Sequence, residues 1–243
     1  MKLHSPSKQY HSALLLMLSA CAVLGLVGCT TTRQVHKEQQ SGFLGDYSML
    51  RQGVGHEANC IYIDEAVDWS QYTKIWIKPI ELWKSDDPES PLNQLDKQQQ
   101  QVVVESFYAA MYEALTNNFQ LVDHAGPDVL VIHAALTDGR PSKPVVDVVT
   151  SVYLPLKLVS LADRFITGTD IGVGLAVVEA EFLDGQSGKR IGAVMDARAG
   201  TKALRSKFRS KWNDVKLAFD WWAERLDKRL LLLRKGDFGT TNL

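Results

Sequence analysis

The pattern of hydrophobic and polar positions separates an apolar N-terminal run from a longer region in which helical and strand periodicities alternate. Residues 13–27 form an uninterrupted series of small and apolar side chains, preceded by Lys2 and Lys8. The run is shorter than the roughly 20 residues of a permanent membrane-spanning helix, but it has the length and the positive flank of a signal-peptide core. We therefore expect residues 1–28 to be a cleaved export signal.

The apolar run ends in the motif Leu26-Val27-Gly28-Cys29. This motif resembles the bacterial lipobox, in which a diacylglycerol is attached to the cysteine sulfur and a peptidase cuts just before that cysteine. The resemblance implies cleavage between Gly28 and Cys29 and a lipid anchor, carrying acyl chains such as palmitate, on Cys29. Thr30, and not Asp, follows the cysteine, which in Gram-negative lipoproteins implies sorting to the outer membrane. A plain secretory signal with an incidental cysteine, or a retained membrane anchor, is the alternative.

The expected organisation is a signal peptide at 1–28, a lipidated cysteine and tether at 29–60, a globular domain at 61–235 and a C-terminal tail at 236–243. The tether is rich in Thr, Gln, Lys, Glu and Gly, a composition typical of flexible linkers. Its segment 41–50 carries aromatic and aliphatic side chains, which we expect to clip onto the domain.

Periodicity in the mature chain predicts two helices and several strands. Apolar side chains recur every three or four residues at 94–117 and 208–235, which predicts helices. Alternation or short apolar runs predict strands at 60–63, 74–80, 119–122, 128–136, 173–183 and 190–198. This order predicts an α+β fold, a single-domain sandwich with a mixed β-sheet packed by helices mainly on one face and lipid-anchored through a flexible N-terminal tether.

The stretch 145–166 is mostly apolar, but charged residues and Pro155 interrupt it. We interpret it as a buried helix pair, with an interfacial or partner-binding segment as the alternative. Under that alternative, Pro155 and Lys157 are candidate contact residues for a partner or the membrane. Trp221 joins them, because one narrow helical stripe does not bury both Trp221 and its neighbour Trp222.

Strands 173–183 and 190–198 are expected to form a hairpin in which Leu183 lies opposite Arg190. An unbroken register places small and apolar side chains on one face, where a helix packs closely. The other face then carries the charged side chains Glu179, Glu181, Arg190, Asp196 and Arg198. Paired carboxylates on one face are what a glycosidase needs. We interpret them instead as solvated cross-strand ion pairs.

No catalytic, cofactor or metal motif is complete in the sequence. His56 and Cys60 are one helical turn apart but lack further ligands of a zinc site. His133 alternates with hydrophobic residues on an expected central strand, and we interpret it as a satisfied interior histidine and not a general base. We therefore expect no cofactor, no metal and no enzymatic activity.

Composition adds three constraints. The chain of 243 residues is 45% hydrophobic, which excludes an intrinsically disordered protein. Its 27 Lys and Arg nearly balance 28 Asp and Glu, so bulk charge does not favour nucleic acid. Removal of residues 1–28 takes away two lysines and no acid, leaving 215 residues with a net charge of −3. Cys60 is then the one cysteine besides Cys29, either buried or paired between chains.

Several segments together resemble a known family, the proteobacterial lipoproteins grouped as domain of unknown function 3313. The resemblance rests on the lipobox and on residues 41–48, Asp68-Trp69 with Tyr72, residues 126–130 and 179–184, and Trp212 with Trp222-Ala223. It implies a lipoprotein without an assigned activity, so it carries over no catalytic residue.

Three hypotheses for the function follow from the sequence. The first is a non-enzymatic lipoprotein of the cell outer membrane, on its periplasmic face, which contacts another envelope protein or peptidoglycan. The alternative is a module that binds a small molecule or lipid between the sheet and residues 145–166. The third is a hydrolase that uses Glu179, Glu181 or His133. Nucleic acid is not expected as a partner.

Overall fold

A computed structural model describes residues 32–34, 40–85, 88, 90, 92–137, 175–200 and 211–239. These residues all belong to the unit Thr32–Leu243. The candidate residues Gly28, Cys29, Pro155 and Lys157, and the stretch 145–166, lie outside the described residues.

The described part of the chain forms a single mixed β-sheet and two α-helices. Its elements are β1 Thr32–Gln34, β2 Arg51–Gln52, β3 Cys60–Ile63, β4 Lys74–Ile77, β5 Glu81–Trp83, α1 Lys97–Thr116, β6 Gln120–Leu121, β7 Val129–Thr137, β8 Leu175–Asp184, β9 Arg190–Gly200 and α2 Lys211–Leu233. The strand order is β2-β3-β9-β8-β7-β4-β6, with β1 also paired to β9 and β5 also paired to β7. The pairs β4–β6, β4–β7 and β5–β7 are parallel, and the others are antiparallel.

Both helices pack on one face of this sheet and on each other. Helix α1 begins where the Asp96 side chain accepts a hydrogen bond from the Gln99 amide, while the Gln99 side chain accepts one from the Asp96 amide. Phe107 of α1 lies against Phe219 and Trp222 of α2, with ring centroids 4.8 and 5.9 Å away. The predicted α+β class, with helices mainly on one face, is confirmed. Neither helix in the described part of the chain has the combination of length and hydropathy that a membrane crossing requires.

The structure differs from the expected tether and tail. β1 pairs with β9, β2 pairs with β3, and Ser41 and Leu44 are buried. The boundary expected at residue 61 therefore falls inside the folded unit, because the sheet recruits these short segments to its edge. At the other end, Arg229 donates hydrogen bonds to the carbonyl oxygens of Phe238 and Gly239, so residues 236–239 fold back onto α2.

The hairpin of β8 and β9 contains a β-bulge that the sequence analysis missed. Leu183 lies opposite Arg190 as expected, but Phe182 lies opposite Gly192, which leaves Ile191 as an extra residue on β9. One extra residue reverses the face of every side chain beyond it. The expected placement of Asp196 and Arg198 beside Glu179 and Glu181 is therefore wrong. Asp196 and Arg198 lie on the helix face of the sheet.

The carboxylate of Asp196, turned inward by the bulge, is 2% exposed and is surrounded by donors. It accepts hydrogen bonds from the Gln34 side-chain amide at 2.8 Å, the Asn59 backbone amide at 3.1 Å and the Trp222 indole N–H at 2.7 Å. The Arg198 guanidinium is 3.6 Å away. A buried charge needs such partners to offset its lost hydration. Asp196 thus joins β1, the segment before β3, and α2 to one point of the sheet.

Replacing Trp222 tests this assignment. Trp222→Phe keeps an aromatic ring but removes the indole N–H, which leaves the buried Asp196 carboxylate one donor short. We expect a loss of about 1–3 kcal/mol in the free energy of unfolding, measured by urea denaturation. Trp76→Phe is the matched control, since Trp76 is half-buried on the opposite face. Equal losses in the two variants would contradict the role of the Asp196 bond.

Candidate functional site

Trp221 is the predicted contact residue that the structure describes. It is half-buried on α2, while Trp222 is buried, so the expectation that the helix does not bury both is confirmed. The Arg198 guanidinium carbon lies 3.3 Å from the centroid of the Trp221 ring, and that of Arg225 lies 4.8 Å away. The guanidinium groups of Arg198 and Arg225 therefore both contact the Trp221 indole, whose electron-rich ring face attracts cations.

An apolar cavity of about 120 Å³ lies beside Trp221, between α2 and the sheet. One side of α2 lines it over about three turns, from Trp221 to Leu233. On the sheet, Ala134, Ala180 and Gly192 are among the residues that line it. The ligand site expected from the sequence lies between the sheet and residues 145–166, a stretch outside the described residues.

Two arginines of α2 line this cavity. The Nε atoms of Arg225 and Arg229 are both buried, and neither has a hydrogen-bond partner among the residues that the structure describes. The terminal nitrogens of Arg229 donate hydrogen bonds to the carbonyl oxygens of Phe238 and Gly239, and the Glu57 carboxylate lies 3.9 Å from the guanidinium. Burial lowers the pKa of both guanidinium groups, partly offset for Arg229 by Glu57 and for Arg225 by Asp196. The cost of burying these cations is thus not fully met by the described residues.

The carboxylates beside the cavity are, in contrast, well supplied with donors. Glu57 accepts hydrogen bonds from both terminal nitrogens of Arg51, at 2.7 and 2.9 Å, and from the Val54 amide at 3.0 Å. Asp196 accepts those described above. The cavity therefore combines apolar walls and satisfied acids with two arginine Nε–H groups that have no acceptor in the described part of the chain.

The sequence alone does not identify Arg225 and Arg229 as site residues, although their spacing on the helix is a signal. The two residues are four positions apart, so they lie one above the other on α2. They fall on the same side of the helix as the apolar Trp222, Leu226 and Leu230. An arginine inside an apolar stripe is a signal of a buried or ligand-binding position, because the stripe faces the core and not the solvent.

A second polar cluster occupies the opposite face of the sheet, around His133 on β7. The His133 ring nitrogens lie 2.9 Å from the Glu181 carboxylate and 2.8 Å from the Glu81 carboxylate. Arg190 also donates to Glu181, at 2.8 Å. Burial of the imidazole disfavours its charge, but the bonds to the two glutamates outweigh this and raise the pKa of His133 to about 9. The expectation that His133 has its hydrogen-bonding groups satisfied is confirmed, although the side chain is half-buried and not interior.

Glu179 corrects the expectation of solvated ion pairs. It is fully buried, and it accepts hydrogen bonds from the Ser41 amide at 2.9 Å and the Tyr47 hydroxyl at 2.5 Å. Burial raises the pKa of Glu179, although these hydrogen bonds oppose the shift. Burial and the bond to Glu179 raise the pKa of Tyr47 to about 12. The expected pairing of Glu181 with Arg190 is present, but it is half-buried and not solvated.

Residues 41–50 form the clip expected from the sequence, and these charged groups hold it. Phe43 packs on the His133 ring with centroids 4.7 Å apart and on Trp83 at 5.5 Å. Arg190 donates to the carbonyl oxygens of Leu44 and Asp46. The network therefore attaches the N-terminal clip to the sheet.

The His133 network predicts a specific pH dependence of stability. Because the folded pKa of about 9 exceeds the ordinary value of 6.5, the imidazolium stabilises the fold fully below pH 6.5, and this contribution is lost as the pH rises through 9. Urea unfolding at about pH 6 and about pH 9.5 should show a decline for the natural chain that is smaller in His133→Asn. His124→Asn, at an exposed histidine, should keep the full decline. An unchanged decline in His133→Asn would contradict the assignment.

Comparisons with known proteins place this chain among lipoproteins. It is 27% identical over 175 residues to the uncharacterized lipoprotein YdcL of Escherichia coli strain K12, a match that covers 70% of this chain and 75% of the relative. YdcL of Escherichia coli O157:H7 matches with the same figures. These relatives support a membrane-anchored lipoprotein of unknown function.

Solved structures show weaker likeness. A DUF4136 family protein from Bacteroides thetaiotaomicron has a TM-score of 0.36 at 9% identity, over 70% of this chain and 95% of that one. The PelC dodecamer from Paraburkholderia phytofirmans has a TM-score of 0.31 at 9% identity, over 63% and 88% of the two chains. The sequence profile described as "Protein of unknown function (DUF3313)" matches residues 39–226. The resemblance expected from the sequence is confirmed, and the chain belongs to the DUF3313 family.

Proposed function

We propose that this chain is a non-enzymatic outer-membrane lipoprotein, held on the periplasmic face by acyl chains on Cys29, whose domain contacts another component of the envelope. The position of β1 carries the proposal. It begins at Thr32, three residues after Cys29, and pairs with β9 of the main sheet. Three residues span at most about 10 Å. A lipid on Cys29 would therefore hold the sheet next to the bilayer, and not at the end of a long tether.

The polar cluster around His133 supports a non-enzymatic reading. A protonated imidazole has no lone pair to accept a substrate proton. Glu179 and Glu181 accept hydrogen bonds from the clip and from the residues that hold it. These groups already have a structural task, namely to attach residues 41–50 to the sheet.

The edge of the sheet at β2 supports contact with a protein partner. β2 is at one end of the strand order, and both of its residues are exposed. Met49 and Val54 flank it and are 48% and 58% exposed. Exposed apolar side chains beside a short strand suit contact with another envelope protein.

A second candidate function is favoured by the cavity beside Trp221. Its apolar walls favour a module that binds a small apolar molecule, and its volume of about 120 Å³, below the roughly 150 Å³ of a cavity that accepts benzene, sets the size of that ligand.

The anchor is tested by a pair of cysteine variants. Cys29→Ser removes the sulfur that would carry diacylglycerol, and we expect it to abolish acylation and move the protein from the outer-membrane fraction to the periplasmic fraction. Cys60→Ser is the matched control and should fractionate as the natural chain does. If Cys29→Ser still sediments with the outer membrane, the proposed anchor is wrong.

The partner surface is tested by placing a photoreactive amino acid in intact cells. With the probe at Val54 we expect a discrete adduct to one envelope protein or to peptidoglycan, because this side chain lies beside the open edge. The same probe at His124, which is exposed elsewhere, should give no such adduct. Equal capture at both positions, or monomer alone at Val54, would count against contact through β2.

A further inference from the structure

We propose that the cavity between α2 and the sheet is a docking pocket for one branched aliphatic side chain, Leu, Ile or Val, which a protein partner presents next to an acidic residue. The inference deepens the proposed contact with another envelope component and rests on it. It names the side chains of the partner that are recognised and the part of this chain that recognises them.

The size of the cavity limits its occupant to a small apolar group. Its volume of about 120 Å³ is below the roughly 150 Å³ of a dry cavity that accepts benzene. The side chains of Leu, Ile and Val are smaller than benzene and meet this limit. A Phe side chain adds a methylene group to a benzene ring and exceeds it. The cavity therefore selects one aliphatic side chain and excludes aromatic ones.

Buried apolar side chains form most of the walls of the cavity. Met111 of α1, Ile132 and Ala180 of the sheet and Leu230 of α2 line it, and all four are buried. A polar group in this space would lose its hydrogen bonds to water and find few in return. An aliphatic side chain has no such bonds to lose, and it gains the free energy of leaving water.

The cavity reaches the surface of the domain beside the loop that joins β2 to β3. His56 of this loop and Trp221 of α2 both line the cavity, and His56 is exposed while Trp221 is half-buried. The same loop carries the exposed side chain of Val54. The mouth of the cavity is thus continuous with the exposed apolar surface at β2, and one partner is able to cover both.

A buried carboxylate holds this loop in place. Glu57 accepts a hydrogen bond from the Val54 amide at 3.0 Å, and its own amide donates to the Val54 carbonyl oxygen at 3.2 Å. A Cβ atom at Gly53 would clash with the Ala58 carbonyl oxygen, so the close approach of these two segments requires glycine. A loop that is already ordered loses little conformational entropy when a partner binds.

The charges at the mouth favour an acidic residue in the partner. Arg225 is half-buried there and stacks on Trp221, and its guanidinium forms no ion pair with a carboxylate of the described residues. Glu57 and Asp196, the acids that line the cavity, are buried and already accept hydrogen bonds from donors of this chain. A carboxylate at the edge of the contact would complement Arg225.

A second copy of this chain is the competing partner. Val54 is itself a branched aliphatic side chain beside the mouth, so a two-fold axis would allow two copies to exchange it. That arrangement would bring Arg225 of both copies to one interface, where like charges oppose association. The charge at the mouth therefore favours a different protein.

The test fills the cavity and measures contact with the photoreactive probe at Val54, in the full chain in living cells. Ala180→Leu enlarges a wall of the cavity and leaves the loop and Arg225 unchanged. We expect the yield of the partner adduct to fall about tenfold or more, since burial of one aliphatic side chain raises affinity by about one to two orders of magnitude. Ala180→Val, which fills less space, should give an intermediate yield.

Ala110→Leu is the matched control, because Ala110 of α1 is half-buried but does not line the cavity. It should leave the yield of the adduct unchanged. Thermal unfolding of each variant checks that the domain is folded. If Ala180→Leu does not fold, Ala134→Val at another wall of the cavity takes its place.

Variants of Arg225 test the acidic residue of the partner. Arg225→Gln should lower the yield of the adduct about fivefold, as the loss of one ion pair at the edge of a contact predicts. Arg225→Lys should restore most of the yield. Lys228→Gln, on the exposed side of α2, should change nothing. An equal yield in Arg225→Gln and in the natural chain would refute the acidic residue.

Three further results would overturn the inference. A full yield of adduct in folded Ala180→Leu would refute entry into the cavity but leave the proposed contact at β2 standing. An adduct between two copies of this chain, identified by mass spectrometry, would make the second copy the occupant. An adduct to peptidoglycan would remove the protein partner, and no adduct in the natural chain would refute the proposed contact as well.

Discussion

The buried carboxylate of Asp196 gathers donors from parts of the chain that are far apart in sequence. Gln34, Asn59 and Trp222 all point their N–H groups at it. Unpaired, this charge would be too costly to bury, so folding requires the three segments to meet at this point of β9. The same contact that brings α2 onto the sheet also fixes β1, the strand next to Cys29. Because β1 is held at Asp196, the cavity lies beside β1.

The two faces of the sheet are covered by different physical means. On the helix face, apolar side chains of α1 and α2 exclude water from a large core, and its buried charged residues include Asp196, Arg198 and Arg229. On the other face, a ten-residue clip lies over His133, Glu179 and Arg190, held by hydrogen bonds and ion pairs. The polar face gives the N-terminal segment a defined path. The apolar face leaves a narrow space that helix packing does not fill.

The sequence predicted those elements of the fold in which apolar side chains recur at a regular spacing. Both helices and the long strands β7 and β8 follow from spacing alone, with ends that differ by a few residues. β1 and β2 are too short to show alternation, and their pairing depends on the edge of β9. The bulge at Ile191 has one local signal, the isolated Gly192 inside the strand, and that glycine does not show that the face of Asp196 is reversed. The site was predicted in part: Trp221 followed from its neighbour, whereas Arg225 and Arg229 gain their meaning from the cavity that α2 and the sheet enclose.

The central claim is that Asp196 and β1 place the cavity end of the domain at the membrane. It is tested most directly by fluorescence quenching of the acylated chain in vesicles that contain head-group quenchers. Labels are placed at His56→Cys, beside the cavity, or at Gln186→Cys, in the far turn of the β8–β9 hairpin, in a Cys60→Ser background. The account predicts clearly stronger quenching at position 56. Equal quenching at both positions, or stronger quenching at position 186, would contradict it.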